Sequence, residues 1–378
     1  MKILYVSAAH VPSGTANSIN IVRSCSAMAK LGHEVVLLHP ASHGPGSEKG
    51  DPDPFSFYGV PASFRIKRLP CPGLIGGRTL YCASVALYGL AMRPDLVFGR
   101  YLRATYYLCR LGFPAVCELH SGVRFKGQKS YFLERLAASA NLLAFITISR
   151  MMGDYFEQLD PIKRNRKPVL VAGCGGEPLS GEPAPSKIQK VTTGLDIGYS
   201  GKLDVTKGLG LIGAIASRLP HHDFHIFGGS PEEVAEWRTR TSLRNVHFYG
   251  FIPPGDLPGY LGSMDLCLLP CQRNPVNPSG QIFGSPLKMF DYMALKKAVL
   301  ASDFPEIREI LDETCSVLLD PGDPAAWART IDGLTKNDIR RLGEAAHARF
   351  ISHYTRETRY RRLLAEIDAI RSCRRPGS

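Results

Sequence analysis

Strand-like apolar runs alternate with helical segments, and the alternation occurs twice; no other feature constrains this chain as strongly. In the first half the runs Ile3–Val6, Glu34–His39, Asp95–Gly99, Pro114–Leu119, Ala144–Ile148 and Val169–Ala172 read as strands. Between them Ser18–Leu31, Arg103–Leu111, Lys129–Ala140 and Ser149–Gln158 carry apolar residues at helical spacing. Gly173–Lys190 is rich in Gly, Pro and Ser and lacks periodicity, as a linker does. The pattern then restarts, with strands Leu195–Ser200, Asp223–Phe227, Asn245–Tyr249, Asp265–Leu269, Ala298–Ala301 and Ser316–Leu319. Helical spacing covers Gly208–Arg218, Pro231–Arg240, Asp256–Gly262, Pro286–Leu295, Pro305–Leu311 and Asp323–Thr335. Such alternation predicts parallel sheets covered by helices on both faces. The expected fold class is therefore α/β: two doubly wound, Rossmann-like domains facing across a cleft. Expected boundaries are 1–175 for the first domain, 176–192 for the linker, 193–345 for the second domain, and 346–378 for a helical tail packing back on the first. Ala41–Leu69, with its Gly, Pro and Asp content, reads as one long loop.

Charge divides along the same lines. Residues 1–175 hold 21 Lys/Arg against 10 Asp/Glu, residues 176–345 hold 17 against 21, and residues 346–378 hold 8 against 3. A basic first half points to an anionic partner: a membrane surface, a phosphorylated lipid or a nucleic acid. Nucleic acid is not expected, because the basic residues are not interleaved with aromatics. The ten cysteines show no C-x-x-C pair, so neither a metal site nor a disulfide framework is expected. Met1 leads directly into Lys2-Ile-Leu-Tyr-Val6, with no signal peptide, and no apolar run reaches the ~18 residues of a membrane span. The expectation is a cytoplasmic protein, peripheral on the inner face of the membrane.

Five segments carry candidate chemistry. Ser285 stands where a helix N-cap belongs, with Pro286 at the first helical position, so the N–H groups of Leu287 and Lys288 are aimed at an anion. Asp291 follows Lys288 by three residues on nearly the same face, a spacing that suits diphosphate and then ribose. Tyr199-Ser-Gly-Lys-Leu-Asp-Val-Thr-Lys-Gly208 ends a strand with Gly201, which permits close approach, and brings Lys202 and Lys207 to the strand end. In the first half, His120 follows the strand that carries Glu118, while Arg100 and Arg103 follow another strand end and suit an anionic acceptor. The first strand-to-helix turn has a single glycine, Gly14, so the dinucleotide fingerprint is absent. Gly14, Thr15 and Ser18 remain candidates for offering N–H groups to a substrate; the other reading is a plain turn with Ser18 as the helix N-cap.

Together these residues resemble the glycosyltransferases of the GT-B fold, family 4 type. Gly201-Lys202…Lys207-Gly208 is similar to the family's basic pair for the donor diphosphate. Ser285-Pro-Leu-Lys-Met-Phe-Asp-Tyr-Met-Ala294, with Gly284 before it, resembles the Ser-Pro-Leu-Lys variant of its donor motif, whose last acidic residue, here Asp291, binds ribose. Gly250-Phe-Ile252, Met264-Asp-Leu266 and Ala301-Ser-Asp303 resemble its intervening landmarks, and Leu31–Val35, Glu118-Leu-His120 and Ile148-Ser149 those of its first domain. Phe283 departs from the pattern, standing where an acidic residue is usual. The resemblance implies a retaining transferase that moves a sugar from a nucleotide-diphosphate sugar to a lipid-linked or polysaccharide acceptor in cell-envelope biosynthesis. It implies no metal and no other cofactor, with His120 and Lys207 as catalytic residues. A sugar-nucleotide 2-epimerase of the same fold, or a non-catalytic sugar-nucleotide or lipid-surface binding protein, is the alternative. Neither the base, the sugar nor the oligomeric state is fixed by the sequence.

Overall fold

The computed structural model describes residues 1–41, 52–73, 76–120, 128–179, 181, 183, 186–273 and 286–373. The chain divides into two compact units, residues 1–174 with 356–378, and residues 175–355.

The first unit holds a seven-stranded parallel sheet. Its strands are β1 (Lys2–Val6), β2 (Glu34–Pro40), β3 (Arg65–Leu69), β4 (Leu96–Gly99), β5 (Ala115–Leu119), β6 (Leu142–Thr147) and β7 (Val169–Val171), in spatial order β3-β2-β1-β4-β5-β6-β7. The inner strands are mainly apolar because helices cover both faces of the sheet, and Ile3, Leu4, Tyr5 and Val6 are all buried. Helix Arg356–Cys373 adds Tyr360, Leu363, Leu364 and Ile367 to this core.

The second unit holds a six-stranded parallel sheet of β8 (Asp196–Ser200), β9 (Asp223–Phe227), β10 (Val246–Gly250), β11 (Leu266–Leu269), β12 (Ala298–Ser302) and β13 (Val317–Leu319). Its order, β10-β9-β8-β11-β12-β13, is the doubly wound one, and it reverses direction between β8 and β11. The first sheet reverses in the same way between β1 and β4. Ligands of such sheets bind beyond the carboxyl ends of the strands at this reversal. Among the described residues, no helix is long and apolar enough to cross a membrane.

Four expectations are corrected. The supposed loop 41–69 contains helix Pro54–Tyr58 and edge strand β3, while residues 42–51 lie outside the described residues. Helix Gly77–Met92, unassigned from sequence, packs beside β3. The first helix starts at Ala16 with Thr15 as its cap, Thr15 Oγ1 accepting from the Ser18 N–H at 3.3 Å, so Ser18 is a buried residue inside the helix. Finally, the tail is not one helix. Lys336–Arg349 puts Ile339 and Leu342 into the second core, and after a π turn at Phe350–Tyr354 the chain re-enters the first unit at Arg356.

Candidate functional site

The β8 end of the second sheet gathers cations around bare backbone. Gly201 has φ +142°, and a Cβ there would lie 2.5 Å from Lys288 Nζ. Across the turn, a Cβ on Gly228 would meet the Gly201 carbonyl oxygen at 1.9 Å. Both positions favour glycine for φ, and at 228 the backbone contact excludes a Cβ as well. The next turn is a 3-10 segment, Val205–Lys207, followed by Gly208 at φ +84° against the Pro270 carbonyl, and then by helix Leu209–Ala216. This geometry leaves Lys202 and Lys207 exposed at the strand end.

Lys288 arrives from the helix after β11. Its Nζ sits 3.8 Å from the centre of the Tyr199 ring, a cation–π contact, and Tyr199 is held in place by donating its hydroxyl to the Lys202 carbonyl at 2.9 Å. Burial lowers the Lys288 ammonium to about 7; the neighbouring Cys271 opposes the shift and Lys207 adds to it. Among the described residues no carboxylate forms an ion pair with Lys202, Lys207 or Lys288. The helix runs from Leu287 to Ala294 with Pro286 as its cap residue, so it begins one residue later than expected. Tyr292 on this helix accepts from the Ser200 backbone N–H at 2.9 Å, which fixes it against β8. Asp291 is half-buried on the same helix, and Ile252 is half-buried just past β10. Gly284 and Ser285, with the expected cap, and Phe283 lie outside the described residues.

A separate cluster occupies the first unit. The Glu118 carboxylate, fully buried, is surrounded by His120 Nε2 at 3.1 Å, Arg100 Nε at 3.8 Å and the Tyr5 hydroxyl at 3.2 Å, and Arg359 from the last helix pairs with its other oxygen. Burial alone would raise its pKa, but Arg359, His120 and Arg100 outweigh burial and hold it well below the ordinary carboxylate range. His120 is pushed down to about 4, first by burial and then by Arg100, so it is neutral near pH 7. Its Nε2 lies close to Glu118 but off the N–H axis, making no well-aligned hydrogen bond. The adjoining carboxylate nonetheless favours the tautomer with the proton on Nε2, which leaves Nδ1 as an acceptor.

Other first-half candidates are placed differently from one another. Arg100 is enclosed against Glu118 with Nη1 unpartnered. Glu118 itself is inaccessible, so it acts only through the groups around it. Arg103 is tied to Thr79 Oγ1 at 2.8 Å, whereas Gly14 and Thr15 are exposed after β1. Sequence reasoning missed Arg359 and Tyr5. Arg359 is 241 residues from Glu118, a separation at which no local pattern signals a pair.

One group with metal-like composition appears among the described residues: His221, His222 and Asp332, away from the β8 end. The Leu195 N–H donates to His222 Nδ1 at 2.9 Å. That bond leaves the proton of neutral His222 on Nε2, the nitrogen facing Asp332, and so disfavours a metal there.

The model for Glycosyltransferase Family 4 matches residues 20–173, and that for Glycosyl transferases group 1 matches residues 194–337. No curated protein sequence matches the chain. Among solved structures, sucrose-phosphate synthase from Thermosynechococcus elongatus superposes with a TM-score of 0.70 at 16% identity over 98% of this chain and 99% of that one. HepE from Anabaena in complex with UDP gives 0.67 at 16% identity over 98% and 100%. A glycosyltransferase from Rickettsia africae gives 0.69 at 14% over 99% of each chain. At such identities the likeness establishes the GT-B fold.

Proposed function

Since the chain is a glycosyltransferase, with a Glycosyltransferase Family 4 domain followed by a group 1 domain, we propose that it transfers a sugar from a nucleotide-diphosphate sugar to a lipid-linked or polysaccharide acceptor. The observation that carries the donor is the β8 end of the second sheet. Two exposed lysines and a third, half-buried one surround a glycine turn at the point where doubly wound sheets bind ligands. A diphosphate is the chemistry that three cations without carboxylate partners recognise. Structural neighbours solved with UDP and UDP-glucose support a nucleotide sugar as donor.

In this reading Lys202, Lys207 and Lys288 hold the diphosphate and stabilise it as leaving group, an electrostatic role. With Lys202 and Lys207 supplying positive charge and Lys288 taking up a proton as the anion binds, the departure step is taken to need no metal. Asp291 accepts from ribose hydroxyls, and Ile252 lines the base. Neutral His120 accepts from a donor-sugar hydroxyl through Nδ1, with Glu118 fixing its tautomer, and the anomeric configuration is retained.

The test is titration with UDP and GDP, followed by turnover. Lys207→Ala should weaken binding of whichever diphosphate binds by about 1.5–3 kcal/mol, the range for a charged hydrogen bond. Unchanged affinity would remove the donor from this turn. Incubation with donor alone separates transfer from epimerisation, since an epimerase converts the sugar with no acceptor present.

A further inference from the structure

Helix Gly77–Met92 is apolar on both sides. Its inner side buries Tyr81, Cys82, Val85 and Gly89. On the outer side Leu80 is 47%, Leu87 67% and Leu90 48% exposed. Ala83 and Ala91 are exposed between them. At 100° per residue, positions 80, 83, 84, 87, 90 and 91 fall within an arc of roughly 120°, with Ser84 its single polar member. An ordinary surface helix carries charge on that side, yet residues 79–92 hold none. Of the nine large apolar residues exposed among the described ones, three lie on this helix.

The surroundings are basic. Arg78 and Arg93 are exposed at the two ends of the helix. The neighbouring edge strand β3 exposes Arg65, Lys67 and Arg68, and Arg103 of the adjacent helix Leu102–Arg110 bonds to Thr79. Residues 65–110 contain eight Lys/Arg and one acidic residue, Asp95. An uncharged leucine stripe rimmed by arginines fits an anionic lipid leaflet, with the leucines at the acyl boundary and the cations among headgroup phosphates. A second copy of this face fits poorly, because a two-fold contact would bring the arginine rims towards one another.

We propose that the outward face of helix Gly77–Met92 is the surface by which the first unit sits on an anionic membrane leaflet. This rests on the lipid-linked acceptor reading and names where that lipid surface is met.

Flotation of the full chain with vesicles containing phosphatidylglycerol, and with pure phosphatidylcholine, tests it. The wild type is expected to float with the anionic vesicles, and a variant combining Leu80→Ala, Leu87→Ala and Leu90→Ala at least tenfold less, with unchanged melting temperature and nucleotide affinity. Leu87→Glu, a single change on the same face, should reproduce the loss. Equal flotation of the triple variant and wild type overturns the proposal, as does a wild type that does not float at low salt. A dimer broken by Leu87→Glu, without vesicle binding, would assign the face to a second copy instead. Nucleotide titration in solution tests the transferase reading separately: a wild type that binds none of UDP, GDP, ADP and TDP sinks that reading whatever the vesicles show.

Discussion

Lys288 Nζ lies over the ring of Tyr199 at 3.8 Å, and 2.5 Å from where a Cβ on residue 201 would stand. The relationship joins three parts of the second unit: the end of a strand, a glycine turn, and the first turn of a helix that starts after the next strand in the sheet. It makes the site sensitive to a single methyl group.

Gly201→Ala should therefore displace Lys288 and strain the turn together. A Cβ 2.5 Å from the ammonium and a φ of +142° both oppose it. A stability loss of about 1–3 kcal/mol is expected, with weakened diphosphate binding. Thermal melts and calorimetric titration on the same variant check both; normal values for both would mean that the turn does not hold Lys288 in place.

Lys288 should link diphosphate binding to pH. Its ammonium, lowered to about 7 by burial, is largely uncharged above that pH and must regain a proton to meet an anion. Affinity for a nucleoside diphosphate should fall as pH rises from 6 to 9, with proton uptake visible as buffer-dependent binding heat, and Lys288→Met should abolish that uptake. The stability sign is opposite. Between about 7 and the unfolded value near 10.4 the unfolded chain holds a proton that the folded chain lacks, so this group makes the fold more stable as pH rises through that window. Proton uptake that persists in Lys288→Met would assign it to another group.

His120→Ala should lower kcat far more than it lowers nucleotide affinity, because its proposed contact is to sugar rather than to diphosphate. Since His120 titrates at about 4, activity should show no acid limb near 6.5 from this residue. A pH profile of kcat with a step at 6.5 that vanishes in the variant would contradict the buried, neutral imidazole.

Glu118→Gln removes the counter-charge of two enclosed arginines, Arg100 and Arg359, and should cost about 3–5 kcal/mol in urea unfolding. The pH dependence follows. The folded pKa of Glu118 is depressed, so its contribution is present above the unfolded carboxylate value and is lost on acidification below it. His120, also depressed, adds a loss between 6.5 and about 4 as the unfolded imidazole takes up its proton first. Wild-type stability should fall with acid through these two windows, and Glu118→Gln should lose less below pH 4.5.

Where local patterns agree with packing, the sequence is read residue by residue. Strand Asp223–Phe227 and helix Pro231–Arg240 occur with the expected bounds, the helix because Ser230 and Glu233 form a capping box on either side of Pro231. Helix Gly77–Met92 was illegible because both its faces are apolar, so no 3.6-residue period stands out against the background. Strand β3, Arg65-Ile-Lys-Arg-Leu, hides its alternation under edge charges. Thr15 outcompeted Ser18 as a cap because the Ser18 hydroxyl instead donates to the His10 carbonyl at 2.9 Å.

Periodicity and turn chemistry are local, so the two doubly wound units, and the strand ends that carry Gly201, Lys202, Lys207, Glu118 and His120, are legible in the residues alone. Tertiary structure alone decided which groups meet at those ends. Lys288 reaches Tyr199 only because β8 and β11 are neighbours in the sheet, and Arg359 reaches Glu118 only because the last helix joins the first core. Those meetings set the charge states of the site, since burial and a partner's charge, not residue type, place Lys288 at about 7 and His120 at about 4.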